Sequence, residues 1–330
     1  MATTVHRPRA AILVNLKKVD VDELRGVLAE AESRYGWAES LWLERSDGTA
    51  RAVAQAVEAG VDLVIAVGGD GTVRRVVAAL LESATPMAIV PAGTGNLLAR
   101  NLGLPLGNLA AALEVAFTGA PRNVDVLMVD ALRPDGSRQK ASSMVLSGVG
   151  MDAAMIANTR SSLKRRFGWI AYVDGARRSL GRVAPFEVRI SVDGAAVRSH
   201  RAMGVFVANL VHLPGNISLV PDAAIDDGLL DVVVLQPQHI FDWLFIWRRF
   251  FWVNPLLRRR QDRERIAYWK NRSGRNQVVY WRGKTTTVWI DGSAQPFQID
   301  GDTAKAIRQL TVRVHERGLS IRVPGDTWSI

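Results

Sequence analysis

The sequence predicts an open α/β domain followed by a mostly antiparallel β domain, and three observations carry that prediction. Near-continuous apolar, β-branched runs at 10–15, 62–67 and 86–91 alternate with helical patterns near 20–34, 49–59, 72–83 and 106–118. That alternation belongs to a mostly parallel sheet covered by helices on both faces. From about residue 124 the chain changes to short strand-like runs separated by turn residues, such as "FEVRISVDG", "LLDVVVLQP" and "LTVRVHERGLSIRV". Only two helical patterns interrupt them, near 151–181 and 238–250, which favours antiparallel pairing. Finally, glycine-rich loops follow two consecutive predicted strands, at 68–72 and 93–96. The boundary falls near Pro121 to Val124, giving domains of 1–123 and 124–330, with the C-terminal residues free to pack back on the first.

A chain of 330 residues, 48% hydrophobic and 22% charged, is long and apolar enough for two cores. Its formal net charge of +10 points to a polyanionic partner: nucleic acid, an anionic membrane surface or a phosphorylated ligand. With no cysteine, disulfides, thiolate metal sites and a cysteine nucleophile are excluded. "MATTVHRPRAAILVN" leads into periodic structure instead of a cleavage site, so no signal peptide is expected. "FDWLFIWRRFFWVNPLL" is broken by Asp242, Arg248 and Arg249, short of the roughly 20 apolar residues that span a bilayer.

"VGGDGTVRR" places Gly68, Gly69, Asp70, Gly71 and Thr72 between a strand and a helix. Glycines admit a ligand to the backbone there, and the helix start favours an anion, with phosphate the natural occupant. Gly93, Thr94, Gly95 and Asn96 repeat the design after the next strand. Consecutive parallel strands bring such loops to one sheet edge, where open α/β folds bind ligands. Neither loop is a Walker A or a dinucleotide fingerprint. Asp70 among phosphate-binding amides requires a cation, such as Mg²⁺, between it and the phosphates; the alternative is a cap on the following helix.

"GGDGT" followed by "PAGTGN" at this spacing resembles the diacylglycerol kinase catalytic domain of bacterial soluble diacylglycerol kinases, related lipid kinases and the sphingosine kinases. The likeness continues through "VLSGVGMDA", "DDGLLDVVVL" and "IDGD". It implies an N-terminal domain like that of NAD kinase and phosphofructokinase, with ATP held in the cleft between domains. The ATP contacts it implies are Asn15 and Lys17, the 68–72 loop around the phosphates, and Gly93 to Asn96 lining the same cleft. The chain departs from the family at Leu16, where a proline is usual, and at Arg74-Arg75, in place of Asn-Glu. Ser46 or Thr49 is the substitute for a nucleotide-contacting threonine.

Phosphoryl transfer to an alcohol needs a proton acceptor, commonly a carboxylate. "QIDGD" resembles the family's Asp-Gly-Glu, which makes Asp300 or Asp302 the catalytic base, Asp302 being one methylene shorter than Glu. Read alone, Asp-Gly after a strand is a hairpin turn. "PDAAIDDGLLDVVVL" looks like the loop that holds a structural Mg²⁺ in bacterial relatives, with Asp227 and the carbonyls of Ala224 and Leu229 as ligands. Read alone, it is an Asp-rich turn before a buried strand.

Residues 241–282 carry eleven Arg or Lys against three Asp or Glu, together with Trp243, Trp247, Trp252, Trp269 and Trp281. Such a mixture suits an anionic lipid interface, single-stranded nucleic acid, or a solvated basic face over core tryptophans. The reading adopted is an ATP- and Mg²⁺-dependent lipid kinase converting diacylglycerol to phosphatidic acid. It is expected to be cytoplasmic and peripheral on anionic membranes through 241–282, without nucleic acid, and a homodimer stays open. The rivals are a kinase of a soluble alcohol or NAD, and a non-catalytic lipid- or nucleic-acid-binding relative.

Overall fold

The computed structural model describes residues 7–44, 48–81, 83–151, 184–210, 212–213, 217–220, 223–239, 242–248, 250 and 277–325. They form two compact units: one runs to Val126 and takes up the chain again from Glu316, and the other is Leu127–His315.

The first unit alternates strands and helices: β1 (Arg9–Val14), α1 (Val21–Tyr35), β2 (Ala38–Glu44), α2 (Thr49–Glu58), β3 (Leu63–Gly68), α3 (Asp70–Leu80), β4 (Met87–Pro91), α4 (Leu97–Asn101) and α5 (Leu109–Thr118). Its strands lie parallel in the order β2-β1-β3-β4. All six residues of β3 are buried, as an apolar central strand covered on both faces requires. Helix α1 starts at Asp20, whose carboxylate accepts from the Asp22 and Glu23 amides, and stops at Gly36 in the left-handed region. Its buried Leu24 and Leu28 share one core with Ile12, Ile65, Leu113 and Phe117, each such side chain contributing roughly 1.5–3 kcal/mol.

Strand β2 was not expected from the sequence. It lies at the sheet edge, where one side of a strand goes unpaired, and the buried Glu32 carboxylate accepts the Ser40 amide at 2.9 Å.

The second unit is antiparallel: β5 (Ala120–Leu132), β6 (Arg138–Ser143), β7 (Leu146–Gly150), β8 (Phe186–Val192), β9 (Arg198–Ala202), β10 (Gly204–Ala208), β11 (His212–Leu213), β12 (Ile217–Ser218), β13 (Leu230–Leu235), α6 (Asp242–Arg248), β14 (Val278–Gly283), β15 (Thr285–Ile290), β16 (Gln295–Ile299), β17 (Asp302–Ile307) and β18 (Gln309–Val323). Strand β5 enters from the first unit, and the last residues of β18 return to it, where Ile321 pairs in parallel with Met87 of β4.

One sheet runs β14-β13-β10-β7-β16-β17, and β18-β15-β8-β9 pair in a second. Val149, Val207 and Val232 of the first meet Val188, Val288 and Val312 of the second in one core, the two-layer arrangement of a sandwich. The sequence contains two Ile-Asp-Gly triplets, at 290–292 and 299–301, and they close strands of different sheets, β15 and β16. The helix expected at 238–250 is α6, and the one expected at 151–181 lies outside the described residues. Among the described residues, no helix is long and apolar enough to cross a membrane.

Candidate active site

In the first unit, β1, β3 and β4 end together. Val14 pairs with Val67 and Gly68 with Pro91, so the segments after Asn15, Gly68 and Pro91 emerge at one sheet edge. Asn15 donates its amide to Val67 O at 2.9 Å, and its Oδ1 accepts the Lys17 amide at 3.4 Å. Leu16, the residue that departs from the proline pattern, is 60% exposed between them.

The two glycine-rich loops hold one another. Ala92 N donates to Gly68 O at 2.9 Å. A Cβ at Gly93 would lie 2.5 Å from Gly69 Cα, so glycine is required where the loops cross. Asp70 Oδ1 accepts the Leu97 amide at 2.6 Å, while a Cβ at Gly95 would lie 2.7 Å from Asp70 Oδ2. Asp70 thus caps α4 across the junction, where the sequence alone offered a cap on its own helix. Asn96 sits at φ 48 and folds back on Gly93, accepting its amide at 2.9 Å and donating to its carbonyl at 2.8 Å. Arg100 Nε donates to Gly95 O at 2.8 Å.

These contacts sort the glycine-loop residues. Thr72 is buried, its side chain lying over Gly68, and Asn96 is a staple within its loop. Thr94 is exposed at the loop tip, Arg74 is half-buried and Arg75 is exposed. The first N–H groups of α3 stand outside the i to i−4 ladder, the feature that favours an anion at a helix start. Ser46 lies outside the described residues, and Thr49 is buried at the start of α2.

In the second unit, Asp300 and Gly301 form the two-residue turn between β16 and β17, at φ 48 and φ 86. A hairpin of this kind needs positive φ at both positions, so the plain turn reading of "IDGD" holds. Asp300 is 6% exposed. Its Oδ1 accepts Ser143 Oγ at 2.8 Å and the Val145 and Leu146 amides at 2.9 and 3.0 Å, while Oδ2 accepts the Met144 amide at 3.0 Å. Oδ1 thus takes three of the four donors and Oδ2 one, so most of the carboxylate's lone-pair capacity is in use. Asp302, the first residue of β17, is exposed.

The Asp-rich turn before β13 also has its carboxylates engaged. Asp227 Oδ1 accepts the Leu229 amide at 3.1 Å, and Oδ2 lies 3.4 Å from Arg282 Nη2. Arg282 also forks onto Asp231, from Nε to Oδ1 and from Nη2 to Oδ2, both at 3.2 Å. A guanidinium therefore lies against the carboxylate expected to ligate Mg²⁺. Sequence reasoning did not find Arg282; the β13 to β14 register, Asp231 opposite Arg282, is its only signal.

In the basic segment, Trp243 is buried, and the half-buried Trp281 ring packs edge-on against His200 at 5.0 Å. Trp281 packs against the core of the second unit. Trp252, Trp269 and the run Arg258, Arg259, Arg260 lie outside the described residues.

Paired glycine loops at the carboxyl edge of a parallel sheet, in one chain with an antiparallel β unit, define a fold of the NAD-kinase-like class. Yeast NADH kinase, complexed with NADH, shares this fold at a TM-score of 0.50 and 11% identity, covering 98% of this chain and 85% of that one. A diacylglycerol kinase of Bacillus anthracis str. Sterne shares it at a TM-score of 0.66 and 20% identity over 96% of each chain. Residues 14–129 match the Diacylglycerol kinase catalytic domain, and residues 143–249 match the YegS C-terminal NAD kinase beta sandwich-like domain. The protein named "Probable lipid kinase YegS-like" of Stenotrophomonas maltophilia is 34% identical over 243 residues, 69% of this chain and 74% of that one. The Diacylglycerol kinase of Bacillus subtilis is 28% identical over 186 residues, 56% of this chain and 58% of that one. The chain belongs to the YegS-like and diacylglycerol-kinase-like family of lipid kinases, and a kinase family implies ATP as phosphoryl donor.

Proposed function

We propose that this lipid kinase transfers the γ-phosphoryl group of ATP to the primary hydroxyl of diacylglycerol, giving phosphatidic acid. The observation that carries the reading is the junction of the two glycine loops, a backbone cradle for phosphates. The Bacillus subtilis relative named for diacylglycerol supports the substrate class.

Asp70 suits a divalent cation as a half-buried carboxylate at the junction of the two glycine loops, its Oδ2 facing Gly95, where an added Cβ would lie 2.7 Å away. Mg²⁺ brought by the nucleotide supplies the charge that reconciles this carboxylate with phosphate. The hydroxyl oxygen of the lipid bonds to the γ-phosphorus, the bond from that phosphorus to the β,γ-bridging oxygen breaks, and ADP leaves. The hydroxyl proton passes to a carboxylate of the 300–302 turn. Asp302 suits that role because it is exposed, whereas the lone pairs of Asp300 already hold four donors. The lipid is met at an anionic membrane surface on the cytoplasmic side, the basic composition of 241–282 supplying the attraction.

Incubation with radiolabelled ATP and a panel of diacylglycerol, a sphingoid base, a soluble alcohol and NAD tests the reading. Label entering diacylglycerol supports it, and label entering only NAD, the soluble alcohol or nothing overturns it. Co-sedimentation with anionic vesicles that weakens as salt rises, and fails on neutral vesicles, supports the surface contact. Equal binding to both overturns it.

A further inference from the structure

The resemblance to bacterial lipid kinases implies a structural Mg²⁺ on Asp227, and the residues present do not fit one. We infer that in this chain the guanidinium of Arg282 takes the place of the divalent cation, tying the turn before β13 to β14. Asp231 of β13 stands directly opposite Arg282 of β14 in the antiparallel ladder. The Asp231 side chain is 2% exposed, and a carboxylate so placed needs a cation beside it. The fork onto Asp231 uses Nε and Nη2, the planar geometry that only arginine offers. The same Nη2 lies 3.4 Å from Asp227 Oδ2, so one guanidinium bridges two carboxylates four residues apart.

A metal ion at this place meets two obstacles. Mg²⁺ demands oxygen ligands near 2.0–2.1 Å in octahedral order, and a guanidinium has five donors and no lone pair to offer. It also sets a permanent positive charge within ion-pair distance of the oxygen that the metal would use. The Leu229 amide donates to Asp227 Oδ1, closing the local Asx turn and using acceptor capacity of the carboxylate that would ligate the ion. Among the described residues, no three His, Cys, Asp or Glu are grouped to hold a metal.

The test is thermal unfolding of the full, nucleotide-free chain in EDTA and in millimolar Mg²⁺, with elemental analysis of the purified protein. The wild type is expected to carry no molar equivalent of Mg²⁺ and to melt at the same temperature in both buffers. Arg282→Gln is expected to melt several degrees lower and to regain part of the loss in Mg²⁺, because Asp227 and Asp231 are left without their cation. Arg282→Lys, which keeps the charge and loses the fork, is expected to fall between the two. Asp227→Asn leaves the Asp231 fork in place and is expected to melt near the wild type, indifferent to Mg²⁺. A wild type that holds a molar equivalent of Mg²⁺ and loses it in Asp227→Asn would overturn the inference. So would a wild-type melting point that drops in EDTA. If Arg282→Gln fails to fold, the wild-type and Asp227→Asn arms still decide. None of these readouts is kinase activity, so failure here leaves the proposed reaction standing.

Discussion

Asp70 in the first unit and Asp300 in the second both sit in family motifs, and both reach out to backbone amides of another segment. They are engaged to different depths. Asp70 is half-buried and takes the Leu97 amide at the junction of two loops built of glycine. Asp300 is buried and holds three amides and a hydroxyl of the 143–146 segment. A motif aspartate is therefore not a chemical role in itself. What it can do depends on how many of its lone pairs the fold has already used.

The largest expected effect breaks the first unit's side of the contrast. Gly93→Ala sets a Cβ 2.5 Å from Gly69 Cα and 2.8 Å from Asn96 Oδ1. The first of those clashes is with backbone, which no rotamer change relieves. Calorimetry should show ATP binding lost, and turnover should fall by about 10²-fold or more. Gly26→Ala, in α1 with nothing within 4 Å of the added Cβ, is the control, and it should stabilise by roughly 0.5–1 kcal/mol. Unchanged ATP affinity in a folded Gly93→Ala would move the nucleotide elsewhere.

The next pair sharpens the second unit's side. Asp302→Asn should lower kcat by about 10²- to 10⁴-fold, with melting temperature and ATP affinity preserved. Asp300→Asn should show itself first in stability, at about 1–3 kcal/mol for each buried amide left without an acceptor. The reverse pattern would make Asp300 the base.

Asp70→Asn keeps an oxygen for the Leu97 amide and removes the charge. Affinity for ATP with Mg²⁺ should fall roughly tenfold, about 1.4 kcal/mol, while affinity for ATP in EDTA should hold or rise as the repulsion disappears. Equal losses in both buffers would mean that Asp70 is a cap alone.

The smallest expected effect concerns another buried carboxylate, Asp242, at the start of α6. Burial alone would push it up, but the His239 and Gln238 amides and the Gln277 side chain outweigh burial and hold it below its ordinary 3.8. A depressed acid contributes stability above its unfolded value and loses it as pH falls through the lower folded value. Asp242→Asn should therefore be less stable than the wild type at neutral pH, and the gap should close on acidification below pH 3.8. Denaturant midpoints across that range would show it, and a gap that stays constant with pH would dissociate the carboxylate's charge from its role.

Several elements were legible in the residues alone because their signal is local. The six buried residues of β3 form an unbroken apolar run, the glycine loops announce themselves by composition, and Asp20 and Gly36 close α1 by short-range hydrogen bonds and backbone preference. Strands β2, β6, β9 and β14 were not legible. Arg198 to Ala202 and Ala38 to Glu44 mix polar and apolar residues, and they are strands because a neighbour offers a ladder. Trp243 and Trp281 show the same limit, since a tryptophan beside arginines reads alike whether it faces lipid or core.

The sequence by itself determined the order of α/β then antiparallel β, the two glycine-rich loops and the family they belong to, because each rests on residues close together along the chain. Tertiary structure alone decided which partner each carboxylate has. Asp70 meets Leu97, Asp300 meets Ser143 to Leu146, and Asp231 meets Arg282, at separations of 27, 154 to 157 and 51 residues. Strand register sets the last of those pairings directly, and a shift of one residue would turn every side chain of a strand to the other face.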